Sequence, residues 1–93
     1  MDKVEIKPIL IDMLAAFFSE SGISKDALEY ADLVDDLSMD SITFISIVVE
    51  IEDVFEITVP DNMLLVENFR NVGQIIQIIV DVKKSATLSE DKQ

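Results

Sequence analysis

Apolar residues recur at intervals of three and four between Pro8 and Glu20, at Ile9, Leu10, Met13, Leu14, Phe17 and Phe18. That is the helical period, and it predicts a first helix over this stretch. Pro8 suits the first turn, where its missing N–H costs nothing, and Gly22 is placed to supply the left-handed residue that closes many helices. From Ile23 to Met39 the pattern loosens into Ser, Asp and small residues, with Ile23, Leu28, Leu33, Val34 and Leu37 spaced among them. This reads as a long connection pinned to the core. Loops of that length in a small domain usually serve function.

Residues Ser41 to Phe55 contain Ile42, Phe44, Ile45, Ile47, Val48, Val49, Ile51 and Val54, a composition that would also suit a strand. The polar positions decide for a helix. Thr43, Ser46, Glu50 and Asp53 are spaced three, four and three, which makes one stripe on a helix and none on a strand. Ile45, Ile47, Val48, Ile51 and Phe55 then fall broadly opposite, and Asp40 is the N-cap. After Glu56, Ile57-Thr58-Val59-Pro60 reads as extended, and Asp61 as the cap of a short helical turn through Met63, Leu64 and Leu65. Asn71 followed by Gln74 has the form of a capping box for a last helix with Ile75, Ile76, Ile78, Ile79 and Val82 on its apolar face. Lys83 and Lys84 would complement its C-terminal dipole. The expected architecture is all-α, a small four-helix bundle of three longer helices and one short. One domain is expected over 1–84, with a flexible polar tail over 85–93.

Composition allows this and excludes much else. With 93 residues there is one core, and 49% hydrophobic residues with only two Gly and two Pro can fill it. No Cys is present, so disulfides and thiolate metal sites are out, which fits a reducing cytoplasm. The formal charge of −12 opposes binding to nucleic acid or to anionic membranes. The run Pro8–Ile11 is broken by Asp12 and preceded by Asp2 and Glu5, unlike a signal peptide, and no run approaches the ~20 apolar residues of a membrane span. A soluble, cytoplasmic monomer is expected.

Without His or Cys there is no Ser-His-Asp or Cys-His catalysis and no common zinc arrangement. Asp32, Asp35, Asp36 and Asp40 lack the central Gly and terminal Glu of an EF-hand loop, and no metal is expected. Ser41 stands out instead. It begins an apolar helix inside a stretch, Asp26 to Phe69, in which 44 residues hold 12 Asp or Glu and no Lys or Arg. With no base to activate it, Ser41 is no nucleophile of its own. Two readings remain at this point: a good helix-start residue, or an attachment point for an anionic group, favoured by outward N–H groups and the helix dipole.

Leu37-Ser38-Met39-Asp40-Ser41-Ile42, then Val48, Ile51, Glu52, Asp53 and Phe55, then Ile57-Thr58-Val59-Pro60-Asp61, resembles the acyl carrier protein family, as does the approach Ala31 to Leu37. That family carries Asp-Ser-Leu at the start of its second helix, followed by an acidic helix and an Ile-Pro-Asp-like turn. The resemblance spans roughly Ile9 to Val82. It implies that Ser41 receives 4′-phosphopantetheine from coenzyme A through a separate phosphopantetheinyl transferase. The chain would then be no enzyme but a stand-alone carrier of acyl thioesters, meeting acyl-loading, synthase and acyltransferase-type enzymes through basic docking surfaces. Asp40, Ile42, Thr43, Ser46, Val49, Glu50, Glu52, Asp53 and Asp61 are the partner-facing positions it implies.

Several residues depart from the family pattern. Ser38 stands where Gly is frequent, and Ile42 replaces Leu. Thr43 and Ser46 replace carboxylates usual in fatty-acid carriers, while Phe44 and Val49 add apolar area to the same helix. These departures point to a specialised secondary-metabolite or modified-lipid pathway, with fatty-acid synthesis as the other course. Candidates to line a space for an acyl chain are Val34, Leu37, Ile45, Val48, Ile51, Val59 and Leu64, each also a natural core residue. The alternatives are an aminoacyl or peptidyl carrier, and an acidic adaptor that binds a basic protein surface without using Ser41.

Overall fold

The structure, a computed structural model, describes the backbone of residues 2–91 and the side chains of residues 2–85. Among the described residues four α-helices form: α1 (Lys3–Phe17), α2 (Lys25–Leu28), α3 (Ser41–Phe55) and α4 (Val72–Asp91), with single 3-10 turns at Ser19–Ser21, Asp61–Met63 and Val66–Asn68. Among the described residues there is no strand. The all-α bundle of three longer helices and one short is therefore what folds. The short α-helix, however, lies in the first connection, and the segment after Pro60 makes 3-10 turns.

α1 starts five residues before Pro8. The Asp2 carboxylate accepts the Glu5 N–H at 3.0 Å and the Glu5 carboxylate accepts the Asp2 N–H at 3.4 Å, a reciprocal capping box. Ile6, one turn before Leu10 and two before Leu14, is fully buried like both of them. Cap and burial together outweigh the loss at Pro8, which sits inside the helix and leaves the carbonyl of exposed Val4 without its helical donor. At the other end the helix tightens into the Ser19–Ser21 turn, and Gly22 closes it with φ 75°.

α1 packs against each of the other three helices. Into the space between them α3 sends Phe44, Ile47, Val48, Ile51 and Phe55, and α4 sends Val72, Ile75, Ile76, Ile79 and Val82. Each such side chain contributes roughly 1.5–3 kcal/mol by leaving water. The connections are pinned to the same core by Leu28, Leu33, Met39, Ile57, Val59 and Phe69. The pinned connection expected over Ile23 to Met39 is thus seen, with Ser24 capping α2 through the Ala27 N–H at 3.1 Å.

The start of α4 is half of a capping box. Asn71 Oδ1 accepts the Gln74 N–H at 2.9 Å, but the Gln74 side chain reaches one residue further back, to the Arg70 N–H at 3.1 Å. The helix then continues through Asp91, so Lys83 and Lys84 lie inside it and not at its end. Residues 92 and 93, the close of the tail expected over 85–93, lie outside the described residues. Among those described, no helix is long and apolar enough to cross a membrane.

Candidate functional site

Ser41 is the first residue of α3, and its side chain is exposed. Two neighbours fix where it stands. On its N-terminal side Met39 is buried, and its N–H donates to the Leu33 carbonyl at 2.9 Å. Asp40 has extended backbone, φ −98° and ψ 178°, and its Oδ1 accepts the Thr43 N–H at 2.7 Å, so it is the expected N-cap. That hydrogen bond, helped by the Thr43 hydroxyl, holds the Asp40 carboxyl below its ordinary range.

The cap takes up part of the set of outward N–H groups expected around Ser41. Asp40 takes the Thr43 N–H with its carboxylate and the Phe44 N–H with its carbonyl at 2.9 Å. Its carboxylate also draws on the Ile42 amide. The anionic position at the head of α3 is therefore already filled by Asp40 itself. The Ser41 side chain itself is exposed beside this cap.

Ser38 has φ 55°, the left-handed region where a side chain is strained, which explains why glycine suits this position. The segment before it is a closed turn. Asp32 Oδ1 accepts the N–H groups of Val34 and Asp35 at 2.9 and 2.8 Å, and Asp36 Oδ2 accepts the Asp32 N–H at 2.8 Å. The Arg70 guanidinium lies 3.0 Å from Asp32 and 3.0 Å from Asp35. Its hydrogen bond, then those from the Asp35 and Val34 amides, hold the Asp32 carboxyl low. These carboxylates serve the turn, and sequence reasoning missed the role of Arg70. Its one mark in the sequence is that it is the first cation after the base-free stretch.

At about 100° per residue, Ile42, Val49 and Asp53 run along the middle of the outward face of α3, with Ser46 beside them. Ile45 and Glu52 lie on one edge, Thr43 and Glu50 on the other. Ile42, Val49 and Ile45 are 79%, 58% and 53% exposed. Two assignments change places here. Ile45, expected to face the core and to line an acyl space, is on the surface; Phe44, expected to widen the apolar outer face, is buried with its ring edge-on to Phe69 at 5.3 Å.

Of the acidic positions, Glu50 and Asp53 are exposed, and Glu50 borders a depression of about 330 Å³ with Met13, Ala16 and Phe17. Glu52 is committed within the fold: its Oε2 accepts the Val59 N–H at 2.9 Å, tying the end of α3 to the following segment. Asp61 is exposed and starts a 3-10 turn, but its side chain makes no cap bond. Of the remaining residues suggested for an acyl space, Val48, Ile51 and Val59 are core residues, and Val34, Leu37 and Leu64 are partly buried against them. Among the described residues no three carboxylates converge as a metal ion would require.

The family model for the phosphopantetheine attachment site matches residues 13–79, a span that contains this whole arrangement. The chain is 37% identical over 65 residues to the acyl carrier protein of Tropheryma whipplei (strain Twist), covering 69% of this chain and 77% of that protein. It is 32% identical over 76 residues to the acyl carrier protein of Renibacterium salmoninarum, covering 81% and 91%. With that of Amoebophilus asiaticus it shares 28% over 75 residues, covering 81% and 84%. The cofactor of such proteins is covalently attached 4′-phosphopantetheine, and an exposed hydroxyl at a fixed helix start suits a tethered arm. The chain belongs to the acyl carrier protein family.

Proposed function

We propose that Ser41 carries the 4′-phosphopantetheine arm and that the chain is a carrier, not a catalyst. The observation that carries this reading is the placement of Ser41, an exposed hydroxyl one residue after a capping aspartate, inside the segment that matches the attachment model. The sequence holds no His, and the adjacent Asp40 carboxylate is engaged as the helix cap by the Thr43 N–H. A phosphopantetheinyl transferase therefore supplies the catalysis. When bound, the arm supplies a terminal thiol on which acyl groups ride as thioesters.

The outer face of α3 presents Ile42, Ile45 and Val49 between the carboxylates of Asp40, Glu50 and Asp53. A complementary partner has an apolar centre with a basic rim, and the rim charges speed encounter more than they deepen affinity. This apolar face favours a specialised secondary-metabolite or modified-lipid pathway over general fatty-acid synthesis. A cytoplasmic setting goes with the cysteine-free composition.

The test is mass spectrometry after incubation with coenzyme A and a broad-specificity transferase. The protein gains one phosphopantetheine and Ser41→Ala gains nothing. An unchanged mass across a panel of transferases, or an equal gain in Ser41→Ala, removes the assignment.

A further inference from the structure

Three carboxylates, Asp32, Asp35 and Asp36, crowd the turn that leads into Ser41 in a chain of net charge −12. Left alone such a turn would be pushed open by its own charge. Across the fold, Arg70 grips it at three points. The Arg70 carbonyl accepts the Leu33 N–H at 2.6 Å, its Nε donates to Asp32 Oδ2 at 3.0 Å, and its Nη2 lies 3.0 Å from Asp35 Oδ2. Leu33 is fully buried, and its carbonyl accepts the Met39 N–H at 2.9 Å, one residue before the Asp40 cap. A continuous set of contacts thus runs from Arg70 through Asp32 and Leu33 to Met39, Asp40 and Ser41.

We propose that Arg70 is a positioning residue for the modification of Ser41: by bridging Asp32 and Asp35 it fixes the turn that sets where Ser41 stands when the transferase docks. The proposal rests on the reading of Ser41 as the attachment residue. The geometry requires arginine, because a planar fork reaches two carboxylates at once whereas a lysine ammonium is a single point of charge. Fold and presentation are separable here. The Leu33 to Arg70 backbone bond and the buried core do not depend on the guanidinium, so its loss loosens the turn without dismantling the bundle.

The experiment compares transferase kinetics on wild type, Arg70→Gln, Arg70→Lys and Asp35→Asn, with amide hydrogen exchange read on each. Arg70→Gln is expected to lower kcat/KM roughly fivefold, mostly through KM, because two partly exposed ion pairs are lost. Arg70→Lys recovers only part of this. Exchange at the Val34, Asp35 and Met39 amides speeds up, while the core amides of α1 and α4 stay protected. Equal kcat/KM in wild type and Arg70→Gln overturns the proposal, and so does a loss matched by faster exchange throughout the core. If Arg70→Gln fails to fold, Asp35→Asn decides, since it removes only the exposed arm of the bridge. It should lose about twofold, and no loss overturns the proposal. Wild type that takes no modification at all removes the Ser41 assignment itself, a different failure.

Discussion

Phe44 and Val49 lie five positions apart on the same helix, and the structure gives their truncations opposite outcomes. Phe44 is 5% exposed and stacks edge-on to Phe69, whereas Val49 is 58% exposed on the outer face. Phe44→Ala removes a buried ring, for which the loss is about 3–5 kcal/mol including the cavity left behind. Against a total stability of roughly 5–15 kcal/mol, that brings the domain near its limit. Phe44→Leu keeps most of the volume and loses the ring pair, about 1 kcal/mol. Val49→Ala touches no core contact, trades a β-branched residue for the best helix former, and changes stability by no more than about 0.5 kcal/mol. Urea unfolding followed by circular dichroism at the helical band reads all three. With a slope near 1 kcal/mol per molar urea, Phe44→Ala lowers the midpoint by about 3 M or more and Val49→Ala leaves it nearly in place. A Phe44→Ala variant within about 1 kcal/mol of wild type, or a Val49→Ala variant beyond it, refutes this division of α3.

Three further outcomes follow from the structure. Ser38→Gly relieves a left-handed residue, worth about 1–2 kcal/mol, while adding chain entropy to the unfolded state, worth about 0.4–1 kcal/mol. It should raise Tm by a few degrees in thermal melts, and a drop in Tm contradicts the strain at Ser38. Asp40 has a depressed folded value, so its stabilising contribution is complete above the ordinary carboxylate value of 3.8 and is lost as pH falls through the lower folded one. Asp40→Asn keeps the cap without the titration, and its Tm should fall less than that of wild type on acidification; parallel curves exclude the linkage. The net charge of −12 predicts a higher Tm in moderate salt than in low salt, since screening weakens repulsion among the carboxylates. A Tm that does not change with salt shows that this repulsion is unimportant to stability.

What the sequence showed and hid has physical causes. The choice of helix over strand for α3 was legible because Thr43, Ser46, Glu50 and Asp53 can share a face only at helical period. Their positions also misled. They occupy one flank of the exposed surface, so taking the core as their opposite turned the helix far enough to place Ile45 inward, whereas Phe44, about 140° from the centre of the stripe, faces the core on either setting and its outward placement did not follow from the stripe. The early start of α1 is readable in Asp2 and Glu5, whose spacing is that of a capping box, but Pro8, a residue suited to a first turn, masks it. The cap at Asp40 and the anchoring of the connection by Leu28 and Leu33 were local patterns and came through. The Arg70 to Asp32 bond spans 38 positions, and no periodicity in one chain reports a pairing of that range. The run of α4 through Asp91 hid behind Lys83 and Lys84, which suit a helix end without imposing one.

The grip on Arg70 also bears on how the folded chain meets a protease that cuts after Lys or Arg. Between Lys25 and Arg70 there is no such residue, so everything from Asp26 through the Ser41 segment offers no cleavage point. At the far boundary the Arg70 guanidinium is engaged by Asp32 and Asp35 and its carbonyl by Leu33, while Lys25 is paired with Asp12 and followed by Asp26. Trypsin acting on the folded protein should therefore spare the segment from Asp26 to Arg70, so that a group carried on Ser41 stays on one intact piece.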